Sequence, residues 1–162
     1  MHSLCRTNEA LAAIYTRHAR TVYRVCALFL HGSVPDAEDA VQTTFLKLLR
    51  AGVRFRDAEH EKAWLIVTAA NTCRDLLASG WRKRVSLDEE RVSSEPSPDR
   101  EDETLSAVLQ LPDKYKLAIY MFYYERYACR EIAHYMGKSE ESVRGYLSAG
   151  RKLLKQRLEE GK

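Results

Sequence analysis

Arg144, Arg151, Lys152, Lys155 and Arg157 stand along the last amphipathic stretch of the 162-residue chain. A cation on a helix neutralises a phosphate, and cations in series along one helix suit a polyanion better than a small ligand. Arg144, Arg151 and Lys155 follow one another at spacings of seven and four, so a helix brings them to one face. Acid–base chemistry finds no comparable pattern. Asp36, Glu38, Asp39, His60 and His134 form no HExxH pair, nucleophile elbow or phosphate loop. No enzymatic activity and no cofactor is expected. Cys5, Cys26, Cys73 and Cys129 stand far apart without a CxxC pair, so they read as reduced thiols and not as a metal site or a disulfide framework.

The elements that position the cations are legible around them. Arg130–Gly137 reads as a helix stopped by glycine, Lys138-Ser139 as a tight turn with Ser139 as N-cap, and Glu140 onward as a second helix. Small Ala133 permits close crossing, and Val143 and Leu147 turn the second helix inward. This is helix-turn-helix spacing, which places a helix in a DNA groove. Upstream, residues 105–111 form a short apolar helix stopped by Pro112. Residues 113–125 carry apolar side chains on several faces, as a central helix would.

The first half of the chain is helical as well. Leu11, Ile14, Tyr15, His18, Val22, Val25, Cys26 and Phe29 follow the three-and-four spacing of a buried face, closed by Gly32 as a left-handed terminator. His18 on that face is a core histidine with a partner. A second helix opens with Asp36 as N-cap, buries Val41, Phe45, Leu48 and Leu49, and ends at Gly52. A polar loop over 54–62 leads to a third helix over 63–79 that buries Leu65, Ala69, Thr72 and Leu76. No strand alternation appears, and the fold class is all-α.

Hydrophobic residues make up 45% of the chain, enough for a core, while no apolar run nears the roughly 20 residues that span a bilayer. Met1–Arg6 lacks the apolar stretch of a secretory signal, so a cytoplasmic location without membrane insertion is expected. The net charge of +3 is unevenly spread: residues 86–104 hold 8 acids against 2 bases, between two basic halves. That stretch contains Ser93-Ser94-Glu95-Pro96-Ser97-Pro98 and few large apolar residues. It reads as an acidic flexible linker over 85–103, joining small helical domains at 1–84 and 104–162, the second a four-helix helix-turn-helix domain.

This two-lobe pattern resembles the extracytoplasmic-function (ECF) sigma factors, the small sigma-70-family subunits of bacterial RNA polymerase. In the first lobe Asp36-Ala37-Glu38-Asp39-Ala40-Val41-Gln42-Thr43-Thr44-Phe45-Leu46 resembles the family's D-AEDLVQETFL helix. Phe55-Arg56, Ala63-Trp64-Leu65, Asn71 and Asp75 resemble its next loop and helix. In the second lobe Leu111-Pro112, and Glu131-Ile132-Ala133 through Arg151, resemble its promoter-binding module.

The resemblance implies a sigma factor that binds core RNA polymerase, recognises the −10 and −35 promoter elements and helps melt the −10 region. Glu38, Asp39, Gln42 and Leu46 would dock on the polymerase clamp helices. Arg56 and Asn71 would take part in capturing a flipped non-template base of the −10 element, and an amide that both donates and accepts suits that reading. Arg82, Lys83 and Arg84 would hold phosphates there. Lys138, Ser142, Arg144, Arg151 and Lys155 would contact the −35 element. The implied partners are core polymerase, duplex and locally melted promoter DNA, and an anti-sigma factor. Departures from the family pattern carry expectations of their own. Glu61 stands where the base-capturing loop often has an aromatic, Thr43 replaces a glutamate of the docking helix, and mid-helix Gly150 should soften the grip on the −35 element. The competing reading is a stand-alone helix-turn-helix regulator that never touches polymerase.

Overall fold

The computed structural model of the protein describes residues 8–31, 34–79 and 106–160. These are helical, with no strand among them. The chain divides into two compact units, Met1–Ser94 and Glu95–Lys162. The expected linker over 85–103 and the basic cluster Arg82-Lys83-Arg84 lie outside the described residues.

The first unit is a triangle of helices, each packed on the other two: α1 (Asn8–Phe29), α2 (Val34–Ala51) and α3 (Ala58–Ala78). Val22, Val25 and Cys26 of α1, Ala37, Ala40 and Leu48 of α2, and Leu65, Ile66, Ala69 and Cys73 of α3 are fully buried. Each large side chain buried in this way contributes about 1.5–3 kcal/mol. Cys26 and Cys73 are buried and form no disulfide, and the Cys73 Sγ lies 3.9 Å from the Cys26 carbonyl oxygen. Two expected α1 and α2 core residues are on the outside: Tyr15 is 48% exposed, although its ring lies on Phe45 at 4.9 Å, and Leu49 is 39% exposed. The left-handed backbone after α1 falls at His31 (φ 56°), and Gly32 lies outside the described residues. Asp36 is not a cap. Helix α2 begins at Val34, and Asp36 is buried in its first turn. Gly52, at φ 65°, takes the left-handed conformation directly after α2, as expected.

Helix α3 starts at Ala58, five residues before the position read from the apolar period. Asp57 caps it, its carboxylate accepting from the His60 backbone N–H at 2.8 Å. An N-cap with acids Glu59 and Glu61 in the following turn stabilises the positive helix end. Periodicity missed this start because the first turn carries mostly polar side chains, whose helicity comes from the cap and not from an apolar face.

The second unit opens with a helical turn over 106–109 and contains α4 (Asp113–Ile119), α5 (Cys129–Met136) and α6 (Glu140–Glu160). Both α4 and α5 pack on α6. The expected helix over 113–125 changes character halfway. Tyr120–Tyr124 is a wider π-helical turn, in which the Glu125 N–H reaches the Tyr120 carbonyl at 3.1 Å. Gly150 of α6 is buried, and a Cβ there would stand 3.0 Å from Ile119 Cγ1 and 3.2 Å from its Cδ1. Gly150 lets α4 and α6 approach closely.

Candidate nucleic-acid interface

In the second unit, the turn between α5 and α6 is built by local chemistry. Gly137 adopts φ 68° after α5, and the Lys138 N–H reaches back to the Ala133 carbonyl at 2.9 Å. That bond satisfies a helix-end acceptor, and glycine bears the left-handed backbone without a Cβ clash. Ser139 caps α6 as expected, its hydroxyl accepting from the Ser142 N–H at 3.0 Å and lying 2.9 Å from the Ser142 hydroxyl. At the other end of α5, the Glu131 carboxylate accepts from the Ala128 N–H at 2.8 Å. Ile132, Val143 and Leu147 lock the pair inward at 0%, 0% and 2% exposure.

That burial fixes what α6 presents outward. Arg144, Arg151 and Lys155 are exposed, as is Lys138 in the turn, and Ser142 is half-buried at the helix start. Arg144 lies against Glu140 one turn back, at 3.3 Å, an exposed pair worth only about 0.3–0.5 kcal/mol. Arg151 donates instead to the Tyr123 hydroxyl at 2.8 Å. A cationic face therefore runs from the turn along α6, flanking the Val143–Leu147 seam.

In the first unit, residues 52–57 connect α2 to α3, and aromatic contacts hold this loop. Phe55 meets His60 edge-on at 5.2 Å and Trp64 at 5.9 Å, while the Arg56 N–H donates to His60 Nδ1 at 3.1 Å. The Arg56 side chain is exposed. Asn71 is half-buried on α3, and its side-chain oxygen accepts from Arg74 one turn on. The polar loop read over 54–62 is corrected at Glu61. This residue belongs to the first turn of α3, is 7% exposed, and turns toward α1. One of its oxygens takes Arg17 Nε at 3.1 Å, Arg17 Nη2 at 2.9 Å and His18 Nε2 at 2.8 Å. Glu61 therefore ties α3 to α1. His18 is the partnered core histidine that its apolar face predicted.

Glu38, Asp39, Gln42 and Leu46 share the outer side of α2, with Leu46 50% exposed. Leu49, read from sequence as core, lies three residues beyond Leu46 on the same side and extends this face. The signal was present in the sequence: the buried set Ala37, Val41, Thr44 and Leu48 already fills one helical stripe, which leaves Leu49 outside it. Beside this face a groove of about 490 Å³ runs between α1 and α2, lined by Tyr15, Ala19, Arg20 and Tyr23 on one wall and Glu38, Val41 and Gln42 on the other. Among the described residues no cluster of three His, Cys, Asp or Glu side chains could hold a metal ion, and no helix is long and apolar enough to cross a membrane.

The chain is thus a two-module all-helical protein: a three-helix unit with an exposed acidic and apolar helix face, and a helix-turn-helix unit with an exposed cationic face. Residues 14–83 match the family model of sigma-70 region 2, and residues 101–154 match that of sigma-70 region 4. The chain is 29% identical over 159 residues to the ECF RNA polymerase sigma factor SigL of Mycobacterium tuberculosis, covering 93% of this chain and 89% of SigL. It is likewise 29% identical over 156 residues to the ECF RNA polymerase sigma factor SigM of Bacillus subtilis, covering 88% and 91%. The fold is shared with CnrH, solved in complex with the cytosolic domain of CnrY (TM-score 0.68, 22% identity, 99% of this chain and 94% of that one). It is shared also with the sigma factor RpoE of Bartonella quintana, solved with the anti-sigma factor NepR (TM-score 0.62, 19% identity, 93% and 95%). The chain belongs to the ECF sigma factors of the sigma-70 family.

Proposed function

We propose that this sigma factor docks on core RNA polymerase through the outer face of α2 and directs initiation at promoters with −10 and −35 elements. Residues 1–84 serve polymerase and the −10 element, and residues 104–162 serve the −35 element. The observation that carries the reading is the helix-turn-helix of α5 and α6, whose buried Val143–Leu147 seam leaves Arg144, Arg151 and Lys155 outward on one side. Phosphate contacts from this face set the register on the duplex, and Lys138 and Ser142 at the helix start stand where base edges are read. In the first module Arg56 and Asn71 serve the −10 element, aided by Arg82, Lys83 and Arg84 from outside the described residues, and capture of an unstacked base there helps melting. Arg56 leaves its loop outward while Phe55, His60 and Trp64 hold the backbone beneath it.

An anti-sigma factor is the second partner we propose, since RpoE, which shares this fold, was solved with one. The acidic and apolar side of α2 is the surface a stand-alone regulator would not require. Adding the purified chain to core RNA polymerase tests the reading. Promoter-specific transcripts are expected, with depletion of polymerase from solution by the immobilised chain. DNA binding with neither result would favour the stand-alone regulator.

A further inference from the structure

Tyr123 lies outside α6, on the wide turn that follows α4. Lys116, Leu117, Tyr120 and Met121 are buried, and an unbroken α-helix would place Tyr124 next in that stripe. Instead Tyr120–Tyr124 widens into a π-helical turn, and Tyr123 and Tyr124 emerge at 51% and 54% exposure. Such turns recur at functional sites because they re-aim side chains without ending the helix. Here the turn delivers the Tyr123 hydroxyl to Arg151 Nη1 at 2.8 Å, across 28 residues of sequence.

The chemistry of this contact differs from that of Arg144, which lies against the Glu140 carboxylate. A carboxylate partner offsets the cation and must be displaced before a phosphate can bind. A phenol accepts one guanidinium N–H and leaves the positive charge intact. It also keeps its own O–H as a donor, so the pair presents only donors to solvent. A phosphate diester, with acceptor oxygens and a negative charge, complements that arrangement.

We propose that Tyr123 is a phosphate-contacting residue of the second module, donating its O–H to the DNA phosphate that Arg151 neutralises. The inference rests on the reading of the α6 cationic face as DNA-binding and adds to it a residue from a different element. It also assigns the wide turn a purpose, that of carrying a neutral ligand-binding group to the side of α6.

The test is a double-mutant cycle on the full chain, titrated by fluorescence anisotropy with a labelled mixed-sequence DNA duplex between about 50 and 200 mM salt. Tyr123→Phe keeps the ring and removes the donor, and should weaken binding by about tenfold, the low end for a hydrogen bond to a charged group. Its salt slope should match the parent's, because no charge is lost. Arg151→Gln should lower the log–log slope by about 0.9. The double variant should bind as Arg151→Gln alone does, within about twofold, because both groups serve one phosphate. Parent-like affinity in Tyr123→Phe, or a double variant that loses the product of both effects, overturns the role of Tyr123 while leaving the face as DNA-binding. An unaltered slope in Arg151→Gln overturns the DNA reading of this part of the face, and the role of Tyr123 with it.

Discussion

Their arginine contacts show how differently the two modules use charge. In the first, Arg17 and His18 of α1 converge on Glu61, whose side chain is 9% exposed, and the three link helices far apart in sequence. In the second, Arg144 and Arg151 of α6 are both exposed, one beside a carboxylate of its own helix and one beside a phenol. Burial makes the Glu61 cluster a fixed joint: a buried carboxylate without its partners would carry a large desolvation cost, so the contact holds α3 against α1. Exposure makes the α6 cations worth little to folding and leaves them for a ligand. The same residue type therefore sets geometry in one unit and lies open to solvent in the other.

The strongest way to break this comparison is at Glu61. Glu61→Ala should destabilise the first module by about 3 kcal/mol, at the low end for a broken buried pair because Arg17 remains half in solvent. Urea unfolding followed by circular dichroism measures it, and a loss below about 1 kcal/mol would place Glu61 with ordinary surface residues. By contrast, Arg144→Gln should leave stability within about 0.5 kcal/mol of the parent.

The two glycines of α6 sharpen the contrast between packed and open sides of one helix. Gly150→Leu should cost about 2 kcal/mol, because the site already lies against Ile119. At Gly145 a Cβ would meet nothing within 4 Å, so Gly145→Ala should stabilise the helix by up to about 1 kcal/mol. Thermal unfolding of the two variants should move in opposite directions. Equal shifts would mean that α4 does not hold α6 as described.

Recognition by the exposed cations is read through salt. Each of Arg144→Gln, Arg151→Gln and Lys155→Gln should lower the log–log slope of DNA binding by about 0.9. Three unchanged slopes would return this face to solvent. The smallest change in stability belongs to α2. Asp39→Ala with Gln42→Ala should alter folding by about 0.5 kcal/mol each, since both side chains are exposed. Core-polymerase affinity should nonetheless fall in a titration, and an unaltered affinity would remove the docking role from these two residues.

Much of this molecule is written locally. The apolar period gives α1 and the inward seam of α6. Gly137 and Ser139 give the turn between α5 and α6, because a left-handed backbone and a capping hydroxyl are properties of neighbouring residues. Asp57 was legible too, as a cap followed by acids, but a reading led by apolar spacing passed over it. The candidate faces followed wherever exposure is the complement of a clear buried stripe, as for Glu38, Gln42, Arg144 and Lys155.

Other features depend on elements that the sequence does not place side by side. Nothing near Glu61 in the chain shows that Arg17 and His18, more than 40 residues earlier, would receive its carboxylate. A glutamate in a polar first turn has the same local signature whether it is buried or free. Gly150 reads as a weak point of a helix until Ile119 is found where its Cβ would go. Lysines are rarely fully buried, yet Lys116 is 1% exposed within the second unit. The meeting of Tyr123 with Arg151, 28 residues away, likewise depends on how distant segments pack. The sequence by itself determined which segments become helices, where they stop and which stripe of most of them turns inward, since backbone preference and apolar period act over a few residues. The tertiary structure decided which polar groups are buried together, because that depends on surfaces supplied by distant parts of the chain.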